Sequence, residues 1–227
     1  MVVGEISRID KSYQTKDESY FSHARQDVID LLPKRCESVL EVGCGMGSTL
    51  RLIQSLGICS WIGGVEISKD AASEARKHLD FLVEGDFEKL ELDMKPASLD
   101  VVLCLDVLEH MNDPWLALER LKKLLKPNGV LITSLPNVKH HSVLLPLIFS
   151  DQWQYQDAGI MDKTHLRFFT FKTSVEMLNQ AGFSVERVVK KPVVGGGRGR
   201  CFVRWLGMTL LPTFCSVQYI IKSVKKS

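Results

Sequence analysis

Val39-Leu-Glu-Val-Gly-Cys-Gly-Met-Gly-Ser-Thr-Leu-Arg-Leu52 decides the fold of this chain, because it reads as a buried strand, a glycine turn and the start of a helix. Ser38 to Val42 is short, mostly apolar and β-branched at Val39 and Val42, which suits a strand covered on both faces. Gly43, Gly45 and Gly47 then allow a sharp turn and let a ligand lie against bare backbone. Leu50, Leu52, Ile53 and Leu56 resume at helical spacing, and Gly57 ends the run. The bland alternative is an ordinary strand-turn-helix corner; the sharper one is a seat for a nucleotide-like cofactor. Charge and spacing bear on which cofactor. A dinucleotide fingerprint places its third glycine three residues after the second and holds a pyrophosphate at the helix N-terminus. Here the third glycine comes two residues after the second, and Glu41 stands just before the turn. A carboxylate there repels phosphate and favours a ligand carrying an ammonium and a sulfonium.

Downstream, acids recur at the ends of successive strands. A second strand, Trp61 to Ile67, carries Glu66, and Ser68 is placed to cap a helix running to about Leu79. An acid about 20 residues past the glycines holds ribose hydroxyls in Rossmann-like sites, and a carboxylate offers two acceptors to two hydroxyls. Phe81 to Phe87 gives a third strand ending in Asp86. Leu99 to Leu105 is a fourth, leading into Asp106-Val-Leu-Glu-His110. A helix from Pro114 to Leu125, with Leu116, Leu118, Leu121, Leu124 and Leu125 as its buried face, precedes the turn Pro127-Asn-Gly129 and a fifth strand, Val130 to Leu135. Strands alternating with helices in this way predict an α/β protein, Rossmann-like, with a mainly parallel sheet covered by helices on both faces.

S-adenosylmethionine is a ligand of the required charge, and the stretch Val39 to Leu52 resembles motif I of the class I S-adenosylmethionine-dependent methyltransferases. The run Leu-Glu-His110 with Leu-Lys-Pro-Asn-Gly-Val-Leu131 resembles the group related to the ubiquinone-pathway O-methyltransferase. Asp162-Lys-Thr-His-Leu-Arg-Phe-Phe169 resembles a segment of bacterial glycan and secondary-metabolite methyltransferases. The resemblance covers roughly residues 20 to 190. It implies a seven-stranded sheet with an antiparallel edge strand, and S-adenosylmethionine as cofactor. It also implies a cofactor site at Glu41, Gly43, Gly45, Gly47, Glu66 and the adjoining Ile67, with Asp86 accepting from the adenine amino group and Phe87 against the ring. A helix from Phe21 to Leu32 would close over that site, making Arg25 a candidate for the cofactor carboxylate; Arg25 as an exposed helix residue is the plain alternative.

The chemistry expected is methyl transfer to a hydroxyl of a glycan or glycolipid precursor. A small aromatic or quinone-like acceptor is the alternative, a non-catalytic S-adenosylmethionine-binding protein the rival from another class, and a dehydrogenase a third reading. An alcohol reacts poorly until its proton leaves, so a base is expected beyond the carboxyl ends of the strands. His140, His141 and His165 are the candidates, with Asp162 as a possible orienting partner for His165. Asp106 is expected to touch the methionine end of the cofactor or the acceptor, and His110 to be structural. The histidines and acids match no metal-ligand spacing, so no metal is expected.

With 227 residues, 45% hydrophobic and 25% charged, the chain has the make-up of a single globular domain, taken here as 1–227. Within it, 1–20 reads as a lead-in, 136–170 as a substrate lid and 195–227 as a basic segment carrying the last strand, Cys215 to Val224. Gly195 to Gly199 reads as a flexible link and Phe202 to Leu211 as a short helix. A balance of 29 basic against 27 acidic residues gives no argument for nucleic acid. From Val188 onward there is no Asp or Glu, which with the apolar run Val143 to Phe149 favours a lipid-linked or anionic acceptor and a weak anionic membrane-surface contact. The six cysteines form no CxxC pair, and no run reaches the roughly 18 apolar residues of a membrane span, so a reduced, cytoplasmic setting is expected.

Overall fold

The computed structural model describes residues 23–192 and 211–226. A 3-10 turn (Gln26–Leu31) precedes β1 (Cys36–Val42), α1 (Ser48–Ser55), β2 (Cys59–Glu66), α2 (Lys69–Ala75), β3 (Phe81–Glu84) and β4 (Leu99–Leu105). A second 3-10 turn (Leu108–His110) leads to α3 (Pro114–Leu124), β5 (Leu125–Pro136), α4 (His141–Ser150), α5 (Phe171–Gln180), β6 (Phe183–Pro192), α6 (Pro212–Cys215) and β7 (Ser216–Lys225). The seven strands form one sheet in the order β3-β2-β1-β4-β5-β7-β6. β1 to β5 pair in parallel, and β7 runs antiparallel to both β5 and β6. The reversed strand is the last in the chain and lies one place in from the edge.

Alternate residues of the central strands feed two cores, one on each face, as the period of two requires. Leu40 and Val42 of β1, Val102 and Cys104 of β4 and Leu131 of β5 pack with Leu118 and Leu121 of α3 and Met177 of α5. Val39, Val101, Leu103 and Ile132 pack instead with Leu50 and Ile53 of α1 and with Val28 and Leu31. Both faces are covered along residues 101–105 of β4 and 130–132 of β5, so these runs are apolar throughout.

Several elements differ from the sequence reading. The stretch expected as a helix from Phe21 is, within the described residues, a 3-10 turn; its buried residues Val28 and Leu31 stand three apart, the spacing that repeats on one face of that tighter coil. α2 stops at Ala75, and β3 stops at Glu84 before Gly85. Leu116 is exposed, because α3 buries Ala117, Leu118 and Leu121. The apolar run in the 136–170 connection is the helix α4, begun by His140, whose ring accepts from the Ser142 N–H. Cys215 belongs to α6, and β7 begins one residue later. The expected lead-in, flexible link and the body of the 202–211 helix lie outside the described residues.

β2 and β3 lie on one side of β1, and β4 and β5 on the other. The crevice beyond the carboxyl ends of β1 and β4 is therefore the topological switch point, where open α/β sheets bind ligands.

Candidate active site

The glycine turn after β1 is built by extending the β1–β2 pairing past the strand ends: Gly43 and Cys44 donate to the Val65 carbonyl at 2.8 and 3.2 Å. Gly43 has φ +73°, and a Cβ there would meet Val107 Cγ2 at 3.1 Å, so both conformation and space call for glycine. Gly47, with φ +76°, sits just ahead of α1 and shapes the turn.

Two buried carboxylates face this turn. Glu66 is fixed by backbone: Oε2 accepts from Gly45 N–H at 2.7 Å and Oε1 from Ser68 N–H at 2.8 Å. Each oxygen keeps a second lone pair, so the group is oriented without being used up. Burial raises its pKa, against those hydrogen bonds. Glu41 is more extreme. Its Oε2 is buried without a hydrogen-bond partner among the described residues, and burial pushes its carboxyl up to about 8. An unpartnered buried acceptor is costly unless something cationic meets it. This is the feature that fits an ammonium-bearing ligand and opposes a diphosphate.

Both acids line a cavity of about 570 Å3 that also takes in Arg25, Gly43, Gly45, Thr49, Ile67, Asp106, Glu109, His110, Asp162 and His165. A narrower recess of about 60 Å3, lined by Val42, Val65, Ile67, Asp86, Phe87 and Met111, shares Gly43, Ile67, Val107 and His110 with it. Its apolar walls suit a flat ring. Asp86 pairs with Lys89 at 2.9 Å, and the Phe87 ring carries the Arg120 guanidinium 4.6 Å from its centroid.

At the mouth, Asp106 has φ +56°, a strained conformation for a non-glycine residue. It is held there by Ser134 Oγ at 2.8 Å and by the side chains of Arg25 and Gln218. Arg25 also grips Asp27 at 3.0 Å. Burial works against the Arg25 charge, but Asp106 and Asp27 outweigh it and raise the pKa. The guanidinium is thus already engaged, and an incoming carboxylate would have to compete with two others. Arg25 is a part-buried clamp on Asp106, which corrects the reading of an exposed helix residue.

The opposite wall joins two distant segments. The Glu109 carbonyl accepts from Leu166 and Arg167 N–H at 2.8 and 3.0 Å, and His110 Nδ1 meets the Thr164 carbonyl at 3.1 Å across 54 residues. His165 Nδ1 meets the Ile160 carbonyl at 3.0 Å, and the two imidazoles stand edge to face, 4.8 Å between centroids. A carbonyl only accepts, so in both rings Nδ1 carries a proton and donates it to the hydrogen bond. Asp162 Oδ1 accepts from Thr164 N–H at 2.8 Å and Thr164 Oγ1 at 2.6 Å, closing the turn that carries His165.

Of the three expected bases, only His165 lines the cavity. His140 is buried at the start of α4, where Nδ1 accepts from Ser142 N–H at 3.2 Å, and burial lowers its pKa to about 4. His141 packs against the His140 and Phe214 rings. Both are therefore read here as structural, a correction to the expectation. His110 is corrected the other way, since it faces the cavity. Glu109 was not singled out at all; its position directly ahead of His110 after a strand end was the available signal.

A mainly parallel sheet with its cavity at the switch point, floored by glycines and by acids in place of a phosphate cradle, defines a Rossmann-like enzyme for a cationic nucleoside cofactor. A family model described as a methyltransferase domain matches residues 13–188. The chain belongs to this family, and is an S-adenosylmethionine-dependent methyltransferase. It is 27% identical over 197 residues to a ubiquinone biosynthesis O-methyltransferase of Neisseria meningitidis, covering 81% of each chain. To the protein of the same name from Idiomarina loihiensis it is 32% identical over 120 residues, 51% of this chain and 49% of that one. Among solved structures, a methyltransferase of Haloferax volcanii in complex with the Trm112 activator matches with TM-score 0.67 at 16% identity, over 99% of this chain and 100% of that one. A methyltransferase of Archaeoglobus fulgidus matches with TM-score 0.65 at 20% identity, over 95% and 97% of the two chains. The dehydrogenase and non-catalytic readings fall away.

Proposed function

We propose that this methyltransferase modifies a hydroxyl group of a glycan or glycolipid precursor. The observation that carries the reading is that one continuous cavity joins the carboxylates Glu41 and Glu66 to the imidazoles of His110 and His165. Glu41 is assigned to the cofactor ammonium, Glu66 to the ribose hydroxyls, and Asp86 with Phe87 to the adenine. Gly43, Gly45 and Ile67 line the path between them, Gly47 shapes the turn, and Arg25 with Asp106 holds the mouth. When bound, S-adenosylmethionine supplies a methyl group activated by its sulfonium. The chain's task is to hold the acceptor oxygen about 3 Å from that carbon, in line with the bond that breaks. His165, which lines the cavity with His110, is assigned as the base that takes the hydroxyl proton.

An acceptor with an apolar or lipid-linked part is favoured by the outer face of α4, where Leu145, Ile148 and Phe149 are exposed, Phe149 by 79%. Trp153 and Tyr155 continue it to Phe168, whose ring lies 6.3 Å from that of His165. A weak contact with an anionic membrane surface belongs to the same proposal. Equal flotation of the protein with neutral and anionic liposomes would count against it. Among the described residues no helix is long and apolar enough to cross a membrane. The thiols at Cys36, Cys44, Cys59, Cys104 and Cys215 are free, in keeping with the proposed cytoplasmic setting.

A phenolic, quinone-like acceptor is the second reading, favoured by the names of the relatives and by the aromatic cluster beside His165. Release of S-adenosylhomocysteine with hydroxylated glycolipids, free glycans and catechols separates the two. The proposal expects turnover with the glycolipids, and turnover with catechols alone would overturn it.

A further inference from the structure

The recess of Asp86 and Phe87 is walled by one tight turn after β3, closed by the Lys89 and Leu90 N–H groups on the Asp86 carbonyl at 3.0 Å. Asp86 Oδ1 accepts from Glu88 N–H at 3.0 Å and Oδ2 pairs with the exposed Lys89 at 2.9 Å, which orients the carboxylate and leaves each oxygen a lone pair. A turn this short cannot pair its last carbonyls within itself. α3 does so instead. Arg120 Nη1 donates to the carbonyls of Phe87 at 2.6 Å and Glu88 at 3.1 Å, and Nη2 donates to that of Leu90. The same guanidinium lies over the Phe87 ring, 4.6 Å from its centroid. One planar fork therefore holds the backbone and one face of the ring together, which a lysine ammonium could not do.

The clamp is reciprocal. Glu88 Oε1 accepts from Asp113 N–H at 2.7 Å, and Oε2 from Asn112 N–H and Nδ2 at 2.9 and 3.1 Å, directly after Met111, which lines the same recess. The turn thus secures the approach to α3, and α3 returns Arg120 to the turn. Ala117, Leu118 and Leu121 anchor α3 in the core, while Arg120 lines neither the recess nor the larger cavity.

We propose that Arg120 is a positioning residue that sets the preference of the cofactor site for adenine over a 6-oxopurine, acting through Phe87 and Asp86. This inference rests on the seating of adenine proposed above and is independent of the acceptor. The amino group of adenine donates to a carboxylate, whereas an oxo group only accepts and meets Asp86 with repulsion. That discrimination lasts only while carboxylate and ring are held still, because a loosened turn lets Asp86 swing away and admits water between the groups.

The test is calorimetry with S-adenosylhomocysteine and with S-inosylhomocysteine, which carries the oxo group, on the full chain and on Arg120→Met, Arg120→Lys and Asp86→Asn. The unsubstituted chain is expected to favour the adenine compound by about tenfold or more. Asp86→Asn should remove most of that preference, because an amide can also donate. Arg120→Met, which keeps the apolar stem, should weaken S-adenosylhomocysteine about tenfold and leave S-inosylhomocysteine nearly unchanged, bringing the ratio toward one. Arg120→Lys, which keeps the charge without the fork, should fall between the two and decides the matter if Arg120→Met does not fold. A ratio lost in Asp86→Asn but unchanged in the folded Arg120 variants, with only the melting temperature lowered, would overturn the inference and leave the adenine seat standing. No preference in the unsubstituted chain would overturn both.

Discussion

The two walls of the cavity are held by different means. On the cofactor side, Glu41 and Glu66 project from the ends of neighbouring parallel strands, and the glycine turn is an extension of the same ladder. On the acceptor side, Glu109 and His110 sit on a single 3-10 turn, and His165 reaches them through backbone hydrogen bonds between segments far apart in the chain. The first wall is as rigid as the sheet. The second depends on a connection whose helix α4 leaves much of its apolar surface exposed, so its geometry is free to change with the acceptor. A fixed cofactor seat facing an adjustable acceptor seat is a workable division for a family that keeps one cofactor and varies its substrates.

Substitutions on the two walls should therefore separate cleanly. His165→Ala is expected to lower kcat by about 10²–10⁴-fold, the range for loss of a positioned proton acceptor, with little change in cofactor affinity. Single-turnover kinetics beside calorimetry checks this, and equal loss in both would mean that the walls are not independent. Glu66→Ala should weaken S-adenosylhomocysteine by about 1.5–3 kcal/mol, roughly ten- to 150-fold in Kd, because hydrogen bonds to an ionised group are lost. Unchanged affinity would remove its assigned role.

Glu41 offers a pH test of the same wall. Burial pushes its carboxyl up to about 8, and a cofactor ammonium favours the ionised form, so binding releases a proton below that pH. Cofactor affinity should rise with pH between about 6 and 8, by at most tenfold per unit, and Glu41→Gln should flatten the slope. The smallest effect is expected at His140, whose loss as a helix cap should cost about 1 kcal/mol of stability and leave kcat within a few-fold. Its depressed pKa makes its contribution complete above its unfolded value near 6.5 and lost as pH falls toward about 4. His140→Asn, which keeps a capping acceptor, should reduce that acid sensitivity in thermal melts.

The difference between the walls also explains what the sequence discloses. Glu41, the glycines and Glu66 stand at strand ends, and strand ends are legible from apolar runs and breakers. α5 is equally plain, because Thr170 caps it and Gly182 follows its end. The acceptor wall is not written in any period. Position just after β5 points to His140 and His141, yet α4 starts there and turns the first of them into its cap. His110 comes into play only because Glu109 and His110 hydrogen-bond to the 164–167 segment, a long-range pairing that local spacing does not encode. Likewise, Arg25 is placed by Asp106 and Gln218, residues 81 and 193 positions away.

A crystal structure with S-adenosylhomocysteine bound tests the account most directly. Its amino group should lie against Glu41, its ribose on Glu66, and its sulfur should point across the cavity toward His110 and His165. A sulfur turned away from that cluster, or an adenosine seated outside the recess of Asp86 and Phe87, would contradict it.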